Sequence, residues 1–227
     1  MALNFQILKT RALTALLFVI VMLTGLLWNF WCFLILFTII HFGCWYEFIK
    51  LVKKINAKKY LLYSLAGLLY ITLPILMMID LRQTGNIYKG DMLFAEFGKI
   101  YPCVILFSIW INDTMAYLVG SLIGKTPFSS ISPKKTLEGT IGGILLCITT
   151  IGLIAYFNNF KVMPFAIIAA ICSIFGTLGD LLESKLKRMA DVKDSGSFMP
   201  GHGGFLDRFD SFLVAVPFVC VYVKIFL

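Results

Sequence analysis

Residues 12–46 read ALTALLFVIVMLTGLLWNFWCFLILFTIIHFGCWY, and none of them is formally charged. A helix crosses the hydrocarbon core of a bilayer with about 20 apolar residues, in a range of roughly 17–25. The run is too long for one crossing, so it predicts a helical hairpin, about 12–27 and 30–48, turning near Trp28-Asn29. The basic residues ahead of it, in MALNFQILKTRALTALL, imitate a signal peptide. No small-residue cleavage site follows, and the apolar stretch outruns a typical signal core, so it is taken as a membrane helix.

The rest of the chain extends that reading. Its 227 residues are 59% hydrophobic and only 14% charged, with mean hydropathy +0.90, whereas soluble domains carry about 25% charged residues. Further apolar segments fall at about 60–79, with Pro74 as an expected kink, and at 100–121, 139–157, 162–182 and 211–226. The expectation is an all-α polytopic bundle of about seven spans forming a single integral membrane domain over 1–227. A polar loop is expected over 80–99, and a Ser/Pro/Lys loop over 122–138.

Charge then orients the bundle. With the N-terminus inside and the spans alternating, fifteen Lys and Arg residues fall in cytoplasmic segments and five outside. Cytoplasmic loops of membrane proteins carry such an excess, so N-in/C-out is predicted. The net charge of +8 is thereby accounted for by topology, and no nucleic-acid partner is expected. The six cysteines lie singly in apolar segments without a C-x-x-C pair, which reads as buried, reduced packing rather than zinc or redox chemistry. Trp28, Trp31, Trp45 and Trp110 read as interface anchors or core. No internal repeat is evident, which argues against a transporter built from inverted repeats.

Against this apolar background, Gly179–Asp210 stands out: GDLLESKLKRMADVKDSGSFMPGHGGFLDRFD holds six of the twelve acidic residues and five of the twenty basic ones. Asp180, Ser184, Lys187 and Asp191 follow i, i+4, i+7, i+11 and are expected on one helical face. Pro200-Gly-His-Gly-Gly204 reads as a loop that lets a ligand approach the backbone closely. Asp180 and Asp207 flank the seam between spans six and seven, and carboxylates from separate elements suit Mg²⁺, which takes oxygen ligands. His202 stands without a second His or a Cys, which disfavours a transition-metal site; phosphate contact or acid–base work suits it better.

Two further segments carry chemistry. Asn112-Asp113 sits inside a span, where a carboxylate costs about 2.5–3.5 kcal/mol on insertion scales and marks a bundle interior or aqueous cavity. Ser132-Pro133-Lys134-Lys135-Thr136 has the signature of a helix start, with Ser132 as N-cap and Pro133 in the first position, and so of an anion cradle. Two lysines in that first turn oppose the helix dipole, which calls for something negative nearby. Gly139, Gly142 and Gly143 are then expected to let helices pack closely. Gly120-Ser-Leu-Ile-Gly124-Lys125-Thr126 is one residue short of a phosphate loop and follows no strand.

These residues resemble CDP-diacylglycerol synthases (phosphatidate cytidylyltransferases). The resemblance rests on Ser184-x-Leu186-Lys187-Arg188, Lys193-Asp194, and Pro200-Gly-His202-Gly203-Gly204-Phe205-Leu-Asp207-Arg208-Phe209-Asp210, with Asn112-Asp113, Ala116-Tyr117, Gly124-Lys125 and Ser132–Thr136 upstream. It covers roughly residues 110–211 and makes residues from about 100 onward the catalytic half. Met199 and Ile123 depart from the usual residues, and the linker 126–131 is unusual. The resemblance implies the reaction CTP + phosphatidate → CDP-diacylglycerol + pyrophosphate at the cytoplasmic face of a bacterial inner membrane. Asp180 and Asp207 would be metal ligands for Mg²⁺, with a second cation such as K⁺ left open. Lys134, Lys135, Lys193 and Arg208 would hold phosphates, with His202 among the catalytic group. Asn112, Asp113, Ser132, Ser184, Lys187, Arg188, Asp194 and Asp210 are candidates for substrate contact, and a homodimer is the family expectation. The rival readings are a CTP-dependent kinase of a polyprenol-type lipid and a transporter using Asp113. A CDP-alcohol phosphotransferase is disfavoured, since its D-G-x-x-A-R pattern is absent.

Overall fold

The computed structural model describes residues 5–87, 92–199 and 203–227, with side chains described for 12–83, 98–199 and 203–227. It is all helical: α1 (Phe5–Leu27), α2 (Phe30–Ile55), α3 (Tyr60–Ser64), a π-helical turn (Leu68–Thr72), α4 (Leu73–Ile87), α5 (Met92–Ile123), α6 (Leu137–Phe157), α7 (Val162–Met189) and α8 (Leu206–Phe226). Among the described residues, six helical segments are long and apolar enough to cross a membrane, and Ala12–Leu27 is a shorter apolar helix. The predicted bundle of about seven spans is therefore the observed architecture. Its outward faces are apolar, with Leu13, Ile20, Leu61, Leu69, Leu145 and Leu153 all exposed, as a lipid-facing surface requires.

The expected hairpin turns where the sequence placed it. Asn29 caps α2, its side-chain oxygen accepting from the Cys32 amide at 2.8 Å. Pro74 lacks the N–H that would close the preceding helical turn, and the π-helical turn lies just ahead of it. Such insertions bend helices at identifiable places. The polar loop expected over 80–99 is a correction: α4 runs on to Ile87 and α5 begins at Met92. Arg82, inside α4, is only 3% exposed, so that part of the stretch is packed helix where sequence polarity suggested a solvated loop.

The chain divides into two compact units, Met1–Ile75 with Leu186–Phe209, and Leu76–Lys185 with Asp210–Leu227. The first has a core that includes Leu26, Phe33, Phe37, Ile40, Phe48 and Ile71, with the Phe33 and Phe37 rings 4.4 Å apart. In it, Trp45 Nε1 donates to Thr72 Oγ1 at 2.9 Å. Trp28 and Trp31 are exposed, matching interface anchors.

The second unit packs Cys147, Ile151, Ala155, Phe165 and Ala169 together. A Cβ on Gly139 would press on the Ala116 carbonyl, and one on Gly143 on the Asn112 carbonyl and Ala116. The expected role of these glycines, close packing of α6 on α5, is what the structure contains. Lys224 near the end of α8 is ion-paired with Asp80 of α4. All six cysteines are free thiols and four are buried.

Candidate active site

In the second unit, α5 and α6 are joined by a short two-armed ribbon. Phe128 N donates to Lys135 O at 2.8 Å and Leu137 N to Thr126 O at 2.9 Å. At its tip Lys135 N donates to Ser132 O at 3.1 Å, so Ser132-Pro133-Lys134-Lys135 forms a β-turn with proline at its favoured second position. This corrects the expectation of a helix starting at Ser132. The cap is Thr136, whose Oγ1 accepts from Gly139 N at 3.2 Å. Glu138, the acid of the first helical turn, accepts from the Lys125 and Thr126 amides at 3.1 and 3.2 Å. Lys134 and Lys135 therefore stand on a turn ahead of the cap rather than in the first helical turn. The negative partner sought for them is present: Lys135 is ion-paired with Asp180.

Asp180 belongs to a cluster. Its carboxylate, that of Glu183 and that of Asp210 each offer an oxygen, and these oxygens all lie within 4.8 Å of one another. Helical i, i+3 spacing aligns Asp180 with Glu183 on α7. A Cβ on Gly179 would strike the Asp210 carbonyl, so glycine at that position is what lets Asp210 come close. Glu183 is fully buried and Asp210 is 9% exposed, while the Asp180 side chain is 28% exposed. Three carboxylates give an all-oxygen donor set of the kind hard divalent cations take. The cluster can thus bind a metal ion. The sequence pattern alone does not single out Glu183, although its position one helical turn from Asp180 is a usable signal, and it assigns Asp210 to substrate contact. Ser184 Oγ lies 3.4 Å from Asp180 Oδ1.

Asn112 is buried at 3% exposure and its Oδ1 has no hydrogen-bond partner among the described residues, while its Nδ2 donates weakly to Asp113 at 3.4 Å. Asp113 and Tyr117 are exposed.

In the first unit, Asp207 is held from several directions. Lys187 Nζ donates to its Oδ1 at 2.7 Å, while the amides of Ser195 and Gly204 donate to Oδ2 at 2.9 and 2.8 Å. Gly203 has φ +83°, and a Cβ there would meet the Asp207 carboxylate. Glycine is required on both counts. The segment leading here leaves α7 through a Schellman turn: Val192 N donates to Lys187 O and Asp191 N to Arg188 O, with Asp191 at φ 51°. Asp191 therefore lies past the helix end, which corrects its placement on the face of Asp180 and Ser184. Lys134, Arg188, Lys193, Asp194 and Arg208 are exposed; Ser132 and Lys187 are half-buried. His202 lies outside the described residues.

One residue of this unit escaped sequence reasoning. Glu47 of α2 is 4% exposed and accepts from Phe205 N at 3.0 Å and Leu206 N at 2.9 Å.

A family model described as "Cytidylyltransferase family" matches residues 92–226. Among curated proteins, the chain is similar to the phosphatidate cytidylyltransferase of Bacillus subtilis (strain 168), with 46% identity over 132 residues, 56% of this chain and 47% of that protein. It is also similar to that of Staphylococcus aureus (strain COL), with 41% identity over 143 residues, 60% of this chain and 55% of the relative. The one from Staphylococcus saprophyticus is 39% identical over 158 residues, 68% of this chain and 56% of the relative. The chain thus matches about half the length of these relatives.

Proposed function

The chain belongs to the cytidylyltransferase family, and from that premise we propose that it transfers the cytidylyl group of CTP to phosphatidate. In this reading a phosphate oxygen of the lipid attacks the α-phosphorus of CTP, and the bond to the departing pyrophosphate breaks. The products are CDP-diacylglycerol and pyrophosphate. Such a displacement depends on in-line positioning and on neutralising charge, with little covalent work for the protein. The observation that carries the proposal is the gathering of Asp180, Glu183 and Asp210 with Lys135 ion-paired to Asp180. A cation-binding group and a phosphate-binding group stand together there.

Mg²⁺ is the proposed ion at these three carboxylates; when bound, it would offset charge on the triphosphate. Asp207 keeps its proposed metal role on the resemblance of its motif, as does K⁺ as a second cation. Lys134, Lys135, Lys193 and Arg208 are proposed to hold phosphates. His202 is proposed for the catalytic group. Asn112, Asp113, Ser132, Ser184, Lys187, Arg188 and Asp194 are proposed for substrate contact, and Asn112 supports this by presenting a buried oxygen without a partner among the described residues. The catalytic half is placed at about residues 100–227. We place the site on the cytoplasmic face of a bacterial inner membrane, N-in/C-out, where CTP is available, and propose a homodimer. The test is incorporation of label from α-labelled CTP into lipid by purified protein supplied with phosphatidate and Mg²⁺. Labelled CDP-diacylglycerol is expected; lipid that stays unlabelled across detergents overturns the proposal.

A further inference from the structure

Glu47 comes directly after the uncharged run 12–46 and is 4% exposed. An acidic side chain buried in a membrane-spanning helix is costly and is a functional candidate by default. Its carboxylate accepts the amide of Leu206, the first residue of α8, and of Phe205 just before it. These N–H groups have no partner within their own helix and form its positive end. Glu47 thus caps α8 from a helix more than 150 residues away in sequence. Ser195 Oγ lies 2.7 Å from Glu47 Oε2 and 2.9 Å from Asp207 Oδ2, and its single proton serves one carboxylate at a time.

The space around this carboxyl group is cleared for it. A Cβ on Gly196 or Gly204 would overlap the Glu47 carboxylate, and one on Gly43, one turn earlier on α2, would enter the Phe205 ring. Gly196 and Gly204 leave room for the carboxylate itself, and Gly43 leaves room for the ring of Phe205, whose amide the carboxylate accepts. That arrangement serves a carboxylate seated against the 195–206 segment better than it serves generic packing, which would fill the space with side-chain carbon.

We propose that Glu47 is a positioning residue for the reaction. It holds Ser195 and the first turn of α8, and through them fixes the Asp207 carboxylate. This rests on the proposed cytidylyl transfer for its kinetic consequence, but not for its structural one. A group misplaced by a loosened support loses transition-state interactions, so kcat should fall more than substrate binding weakens.

The experiment uses the full chain in detergent and compares wild type with Glu47→Gln, Ser195→Ala, Asp207→Asn and the double variant Glu47→Gln/Asp207→Asn. Hydrogen exchange at the amides of Ser195, Phe205 and Leu206 is measured alongside kcat and KM for CTP. Glu47→Gln is expected to speed exchange at these amides by about tenfold or more, while α5 and α6 stay as protected as in wild type. Its kcat should fall about tenfold or more with KM changed less than about threefold, and the double variant should lose no more than Asp207→Asn alone. Unchanged exchange and kcat in Glu47→Gln, a uniform loss of protection across the chain, or additive losses in the double variant would overturn the proposal. Should Glu47→Gln fail to fold, Ser195→Ala decides it by the same exchange and kcat readings. If wild type itself shows no cytidylyl transfer, the functional reading fails, and the exchange measurement still decides the role of Glu47.

Discussion

Lys135, on the turn between α5 and α6, is ion-paired with Asp180 of α7. The pair joins the basic segment Ser132–Thr136 to the acidic block that begins at Gly179, two stretches far apart in sequence. Both side chains remain partly exposed, at 29% and 28%, so the pair itself adds little stability. Its consequence is chemical. Lys135→Met is expected to raise KM for CTP about tenfold through loss of a phosphate partner. It should also lower the Mg²⁺ concentration for half-maximal activity, since a competing cation beside Asp180 is gone. Steady-state kinetics over a Mg²⁺ titration reads both.

The three-carboxylate cluster makes a separate prediction. Glu183→Gln keeps the shape of the buried side chain but removes one anionic oxygen donor from the site. Half-saturation by Mg²⁺ should rise about tenfold or more, and the deficit should shrink at high Mg²⁺. Chelation of divalent ions should abolish activity in wild type, with recovery on adding Mg²⁺ back.

Gly139 tests the packing that presents Thr136 and the turn. A Cβ there would sit 2.6 Å from the Ala116 carbonyl and 2.9 Å from the Gly120 Cα, both backbone atoms that cannot swing aside. Gly139→Val is expected to cost about 1–3 kcal/mol by overpacking. Thermal unfolding in detergent should show a lowered midpoint, whereas Gly152→Ala, whose nearest neighbour would be at 3.5 Å, should be close to neutral.

Glu138 clamps the other arm of the same ribbon through the Lys125 and Thr126 amides. Glu138→Ala should leave the helices in place and loosen the ribbon. Trypsin cleavage after Lys125, Lys134 and Lys135 should quicken at least several-fold, because the charge-assisted hydrogen bonds that close the ribbon are lost. An unchanged digestion rate would show that the ribbon is held by its backbone bonds alone.

The spans were legible in the sequence because hydrophobic length is a local property, and so were the turn at Asn29 and the close-packing glycines after Thr136. Other features depend on distant partners. Ser132-Pro133 and Thr136-x-Glu138 are both helix-start patterns, and only the pairing of Thr126 and Phe128 with Leu137 and Lys135 selects Thr136. Residues 80–87 are polar in composition, yet α4 runs through them, with Arg82 buried. Glu47 resembles the polar end of a span, followed as it is by Lys50, Lys53 and Lys54. Its partners lie 148 to 159 residues away, beyond any local pattern. In the charged block, the i, i+3 relation of Asp180 and Glu183 was available, but Asp210 joins them only through the close approach of backbone at Gly179.

The central claim is transfer of a cytidylyl group at a site containing Asp180. The most direct measurement gives purified protein phosphatidate, Mg²⁺ and CTP labelled either at the α- or at the γ-phosphate, and follows label into lipid for wild type and Asp180→Asn. The account predicts α-label in lipid, γ-label released as pyrophosphate, and a loss of about 10²-fold or more in the variant. Entry of γ-label into lipid, or full activity in Asp180→Asn, would contradict it.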